Sequence, residues 1–273
     1  MIISASYKTD LPAFHGKWVI RSFSEGFCHV RNPYNKSTFL VDLSRDSVDG
    51  IVFWTRDPEP FLDGFNWIRA RGYPFYIHFT LTGYPRLLEP LVPVLDTSVE
   101  LFRTLAGTYG REALVWRYDP ILFTSMTDKG FHLLQFRKIA GSLKGCCNEV
   151  IVSFATFYSK TRRKMDQLGR KSGLEWWDPD DQDKIRISTQ LSSIASEYGM
   201  KLSLCGQRHL ISSGVSDASC TDPFRLSRIA GQAIRIPRKR SHRPGCGCFQ
   251  SRDIGSYNTC RHGCVYCYAQ TGS

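Results

Sequence analysis

Short apolar runs, each closed by polar, glycine or proline residues and separated by longer amphipathic stretches, constrain this chain more than any other feature. Ile2–Ser6, Gly50–Thr55, Phe75–Leu81, Ala113–Tyr118, Glu149–Phe154 and Met200–Cys205 read as six strands. They are apolar nearly throughout, the pattern of strands covered on both faces. Apolar spacing predicts helices around Phe14–Glu25, Val99–Ala106, Asp128–Leu143 and Ile185–Tyr198. Strands that alternate with helices pair in parallel through crossover units. Phe27–Arg31 and Thr38–Asp42, joined by the turn Asn32-Pro33-Tyr34-Asn35, read as a hairpin inserted at about 27–43. The expectation is an α/β fold: a partial TIM-like βα barrel of about six to seven parallel strands. Residues 1–205 would form its body, and a cysteine-rich region, 206–273, would complete it. Gly206–Arg243 is polar, weakly periodic and reads as a linker.

In such barrels chemistry sits at the C-terminal ends of the strands. Polar residues gather at those ends: Lys8/Thr9/Asp10, Thr55/Arg56, Thr80/Thr82, Arg117/Asp119, Ser153/Thr156 and Cys205. A turn or cap is the ordinary role for any one of them. Arg117 and Asp119 are the exception. They flank Tyr118, so both should face one side of the sheet, and burial would demand partners. These two are the candidate catalytic residues. Thr55, Arg56, Thr80 and Thr82 are candidates to line a pocket beside them.

Ten cysteines is a high count, and seven of them (Cys205, Cys220, Cys246, Cys248, Cys260, Cys264 and Cys267) crowd the last third. The N-terminus shows no basic leader followed by an apolar stretch, and no apolar run is long enough to span a membrane. A cytoplasmic protein is therefore expected, and clustered thiols in a reducing compartment point to metal rather than disulfides. Cys260-x3-Cys264-x2-Cys267 places three thiolates in one loop, with Gly263 permitting the sharp bend. A four-iron cluster held by three thiolates keeps one iron free for a substrate or cofactor. Cys205, Cys220, Cys246 and Cys248 could form a second, fully ligated site. Zinc is the rival metal: the three loop cysteines with Cys246, Cys248 or His262 would make a tetrahedral knuckle. Tyr257, Tyr266 and Tyr268 beside the loop suit packing or stacking on a base. His132, His209 and His242 have no metal-like spacing and read as structural or surface residues.

The formal charge of +11 favours an anionic partner, such as nucleic acid or a phosphorylated substrate. The densest basic run, Arg235-Ile-Pro-Arg238-Lys239-Arg240-Ser-His242-Arg243, is either a solvated linker or a grip on a phosphate backbone. A zinc- or iron–sulfur-containing nucleic-acid-binding protein without catalysis is the alternative these features allow.

The cysteine loop resembles the cluster loop of radical S-adenosylmethionine (SAM) enzymes. Tyr266 before the third cysteine and Tyr268-Ala269 after it are similar to the spore photoproduct lyase branch. Over nearly its full length the chain also resembles the bacterial family called domain of unknown function 1848. The matching stretches include Ile2–Ser6 with Thr9-Asp10, Ile51–Thr55, Phe79–Tyr84, Val115–Leu122, Cys246-Gly-Cys248, Asp253–Gly255 and Tyr257–Thr259. The first resemblance implies a [4Fe-4S] cluster on Cys260, Cys264 and Cys267, and SAM on its open iron. It also implies a deoxyadenosyl radical, and a reductant of flavodoxin or ferredoxin type. Thr55, Arg56, Thr80, Thr82 and Tyr266 would then help to line the SAM pocket. In ordinary members of that group the loop follows the first strand, whereas here it comes last, which implies a circular permutation. Thr55-Arg56-Asp57 stands where the second family usually has Thr-Lys-Asn. No single stretch reproduces the glycine-rich SAM motif of many radical SAM enzymes.

Overall fold

The computed structural model describes residues 1–33, 35–240 and 245–270. Tyr34 of the expected turn, and His242 and Arg243 of the basic run, lie outside the described residues. The elements in order begin with β1 (Ile2–Ala5), α1 (Leu11–Glu25), β2 (Phe27–Arg31), β3 (Thr38–Asp42) and β4 (Gly50–Thr55). Next come α2 (Leu62–Ala70), β5 (Phe75–Thr80), α3 (Leu95–Tyr109), β6 (Leu114–Ile121), β7 (Phe123–Thr124) and α4 (Lys129–Ser142). The chain continues through β8 (Glu149–Phe154), α5 (Ser159–Ser172), β9 (Trp176–Trp177), α6 (Asp181–Glu197) and β10 (Lys201–Leu204). It closes with β11 (Ser216–Asp217), α7 (Pro223–Ala230) and β12 (Ser251–Asp253).

The six expected strands are β1, β4, β5, β6, β8 and β10. Within a mixed α/β fold they lie in one sheet of eight strands, ordered β11-β10-β8-β6-β5-β4-β1-β12, every pair parallel. Two short strands, β11 and β12, raise the count above the expected six to seven. No ladder joins these two edges among the described residues. The hairpin is β2 against β3, antiparallel, with Phe27 opposite Asp42. β6 does not stop at Asp119-Pro120, where the sequence pattern placed its end. It runs on to Ile121 through a register shift after Tyr118. The Gly206–Arg243 stretch is not merely a linker, because it carries β11 and α7.

Side chains alternate across each strand, so the sheet has two distinct faces. Ile3, Phe53, Ile77, Trp116 and Val152 face one way and pack against α1, α2, α3, α4 and α6 in the main core. Each fully buried side chain of this size contributes roughly 1.5–3 kcal/mol. Ile2, Val52, Tyr76, Val115 and Ile151 face the other way and form a second cluster with Leu226 of α7 and Cys205, Cys220, Cys246 and Cys248. A third cluster caps the C-terminal edge of the sheet and includes Tyr84, Leu88, Leu122, Met165 and Tyr266. No helix among the described residues is long and apolar enough to cross a membrane.

Candidate functional site

Parallel strands bring all their C-terminal ends to one edge, and the segments leaving that edge build a connected polar network. Asp10, after β1, caps α1 by accepting from the Ala13 amide at 3.1 Å. Its other oxygen accepts from the Arg56 amide at 2.7 Å and faces His262 Nε2 at 2.8 Å. Arg56, just past β4, donates to Glu89 at 2.7 Å, Tyr266 Oη at 2.8 Å, the Asp119 carbonyl at 3.3 Å and Thr82 at 3.4 Å. Glu89 is buried and also accepts from the Thr82 and Tyr266 hydroxyls. Burial works against the Arg56 cation, but Glu89, Tyr266, Cys264 and Asp119 together hold it well above the ordinary range.

The cysteine loop is fastened onto this network. Gly263 adopts φ +72°, the left-handed turn its position was expected to need. Backbone bonds join Val265 to Leu88 at 3.1 Å and Leu91 to His262 at 3.2 Å. Both ring nitrogens of His262 face oxygen acceptors, Asp10 on one side and the Leu91 carbonyl at 3.4 Å on the other. A zinc knuckle using His262 would have to break one of these contacts. Cys267 lies close enough to Cys260 and Cys264, and Cys260 to Cys264, to help push those two thiols up. Burial pushes the Cys264 thiol up to about 12, with Arg56 pulling the other way. Burial also raises Cys260, which the amide of His262 partly offsets. Three thiols in one loop beside a fixed guanidinium are the donor set a polynuclear thiolate-bound cluster would use, and among the described residues they do not already surround an ion position.

Asp253 of β12 anchors the approach to the loop. It accepts from Ser4 at 3.1 Å, Ser6 at 2.8 Å and the amides of Tyr7 and Gly255, with Lys8 Nζ at 3.4 Å. Burial raises its carboxyl, and Lys8 and Ser6 restrain the rise.

Arg117 and Asp119 share a face, as expected, and pair at 2.7 Å. The Arg117 guanidinium lies 5.0 Å from the Trp54 ring and donates to Cys220 Sγ at 3.3 Å. Asp119 also accepts from the Ser153 hydroxyl. His78 stacks on Trp54 at 4.3 Å and donates through Nε2 to the Cys220 carbonyl at 2.7 Å. Its Nδ1 has no partner among the described residues, and burial together with Arg117 keeps the ring neutral.

Beneath Arg117 lie four buried thiols. Cys205 Sγ is 3.3 Å from Cys220 Sγ, and Cys248 contacts both Cys220 and Cys246. The bond from Cys205 lowers Cys220, but the contact with Cys248 and burial push it up to about 12. Among the described residues no group of three His, Cys, Asp or Glu side chains already surrounds a single-ion position.

The other expected residues have simpler places. Thr55 accepts from the Asp57 amide at 3.0 Å and closes the turn after β4. Thr82 supports Glu89, and Thr80, Thr82 and Glu89 line a cavity of about 180 Å³ against the start of α3. Tyr266 ties the loop to Arg56 and Glu89 rather than standing free. His132 is buried and His209 exposed, as structural and surface roles require. In the basic run, Arg235 bonds Asp49 at 2.8 Å and Arg238 bonds Gln250 at 3.0 Å. Glu89, Asp253, Trp54 and His78 were not singled out from the sequence. The carboxylate of Glu89, between Leu87-Leu88 and Pro90 in an otherwise apolar stretch, is the signal that could have exposed it.

A family model described as Domain of unknown function (DUF1848) matches residues 2–269, and the chain belongs to that family. A search of curated proteins found no match.

Proposed function

We propose that this DUF1848 chain is an iron–sulfur enzyme of the radical SAM type, built on a circularly permuted partial barrel. The observation that carries this reading is the seat of the cysteine loop. Cys260, Cys264 and Cys267 lie over the C-terminal ends of parallel strands and are tied there through Asp10, Arg56 and Glu89. Because His262 is engaged by Asp10 and Leu91, the loop offers three thiolates and no fourth donor of its own. β12 supports the permutation, since it pairs beside β1 and leads directly into the loop, the position a first strand would hold.

When bound, a [4Fe-4S] cluster with SAM on its open iron would supply hydrogen-atom abstraction, driven by one electron from a flavodoxin- or ferredoxin-type reductant. The chain's own residues prepare that chemistry. Arg56 sets a fixed positive charge beside Cys264 and lowers the cost of holding thiolate there. Arg117 and Asp119 present a paired cation and carboxylate toward the same edge, where a substrate would be oriented. α5 lies against the loop, with Lys164 donating to the Gln270 carbonyl at 3.2 Å. It carries Lys160, Arg162, Arg163, Lys164, Arg170 and Lys171 against the single acid Asp166, which supports an anionic substrate, a nucleic acid or a phosphorylated molecule. The cytoplasm fits a site that needs reduced thiols.

The experiment is anaerobic purification followed by iron and sulfide analysis, then reduction in the presence of SAM. About four irons and four sulfides per loop are expected, with deoxyadenosine released. Cys260→Ala, Cys264→Ala and Cys267→Ala should each remove this iron from a folded protein. Sulfide-free preparations, or iron untouched by all three changes, would refute the assignment.

A further inference from the structure

We infer that Cys205, Cys220, Cys246 and Cys248 form a second, closed site for one divalent ion of the zinc class, and that this ion fastens the two edges of the sheet to each other. The four residues come from three segments: the end of β10, the stretch between β11 and α7, and the Cys-Gly-Cys turn before β12. Their contacts run as a chain, Cys205 to Cys220 to Cys248 to Cys246, beginning with the 3.3 Å sulfur pair.

That spacing separates the two kinds of thiolate site. Thiolates on one tetrahedral zinc, with bonds of about 2.3 Å, stand about 3.8 Å apart. The Cys205–Cys220 sulfur pair, at 3.3 Å, already stands near that spacing. In a four-iron cluster each cysteine binds a different iron, so the four must stand well beyond contact. Here they are buried among Ile2, Val52, Tyr76 and Val115, and a close-packed interior resists such expansion. The backbone is also held. Tyr76 and His78 both bond the Cys220 carbonyl, at 2.6 and 2.7 Å. A Cβ on Gly247 would stand 2.7 Å from Asp217 Oδ2 and 2.8 Å from the Ala218 carbonyl, so only glycine lets the turn come this close.

As thiols, the four groups bond one another instead of surrounding an ion position. Binding a divalent cation would exchange their protons for metal–sulfur bonds. Four thiolates on one such ion leave a net charge of −2, and two cations stand ready for it. Arg117 donates to Cys220 Sγ at 3.3 Å, and Arg208 lies within electrostatic reach of Cys246. With four protein ligands no position stays open, which makes the site structural rather than catalytic. Its place gives it a task. Cys205 and Cys220 flank β11 at one edge, whereas Cys246 and Cys248 lead into β12 at the other, and no ladder joins those edges among the described residues.

The test uses the full chain with Cys260, Cys264 and Cys267 all changed to Ala, so that loop iron cannot contribute. One equivalent of zinc per chain should survive dialysis. Cobalt(II) in its place should give the intense visible absorption of a tetrahedral four-thiolate ion. Cys220→Ser or Cys246→Ser in that background should abolish stoichiometric retention. Should either variant fail to fold, titration of thiols in the parent protein decides instead, because a strong chelator should release four additional reactive thiols together with the zinc. Iron with sulfide at this site, or no zinc or cobalt uptake by the folded parent, would overturn the inference. Loss of iron binding by the unaltered loop would fall on the proposed function and leave this site untouched.

Discussion

Arg56 and Glu89 carry opposite charges in a place that water barely reaches, with side chains 13% and 3% exposed. Such a pair is an asymmetric investment, since removing one partner strands the other. Breaking a buried pair typically costs about 3–5 kcal/mol, whereas replacing both partners by apolar groups of similar size is often close to neutral. Glu89→Gln keeps the shape but removes the charge facing Arg56 and weakens the acceptor for Thr82 and Tyr266. Urea unfolding should show a loss in that range. Arg56→Met combined with Glu89→Leu should lose less than the sum of the single changes, and strictly additive losses would deny the coupling. The sequence made half of this pair visible. Arg56 stood out because it ends an apolar strand. Glu89 sits in an irregular loop where no period predicts which way a side chain points, and only the return of the cysteine loop 177 residues later buries it.

At the scale of elements, legibility followed hydrophobic periodicity. The bounds of β4 and β8 could be read directly, since both are built around β-branched apolar cores, Ile51-Val52 and Val150-Ile151-Val152. α2 and α5 escaped for opposite reasons. α2 is nine residues long with Gly64 inside it, and α5 buries only Thr161 and Met165, so most of its face is charged. α4 shows how a helix with a weak stripe can still be fixed in place. Its His132 accepts from Tyr118 Oη at 2.9 Å and donates to the Leu122 carbonyl at 3.1 Å, which joins α4 to β6 only while the ring is neutral. Burial lowers this histidine to about 4, with the Leu122 carbonyl and Asp128 opposing the shift. In the unfolded chain it titrates near 6.5, so the unfolded state takes up the proton first. Stability from this group is therefore whole above about pH 6.5 and falls through the window down to about 4, by about 3 kcal/mol in all. Chemical unfolding across that window should show His132→Gln losing less stability on acidification than the parent. Parallel curves would assign the acid sensitivity elsewhere.

Across the whole molecule, the order of strands in space differs from their order in the chain. β1 and β12, from opposite ends of the described residues, are neighbours, with Ile2 opposite Ser251 and Ser4 opposite Asp253. Asp253 then stitches β1 to the segment that carries the cysteines. Without β12, the buried strand β1 would become an unprotected edge, with its backbone groups and Ser4 and Ser6 short of partners. A chain ending at residue 250 should therefore aggregate or melt without cooperativity. The same segment supplied from the other end should restore the fold. In such a permutant, residues 245–273 would precede Met1, joined by a crossover linker of at least about a dozen residues, as parallel neighbours require. Circular dichroism and a single cooperative melt would report recovery, and thiol-dependent iron uptake would report the loop. A permutant as disordered as the truncation would mean that β12 cannot act as a displaced first strand. A recovered fold would make the position of the cysteine loop in the sheet, rather than its position in the sequence, the property that the site depends on.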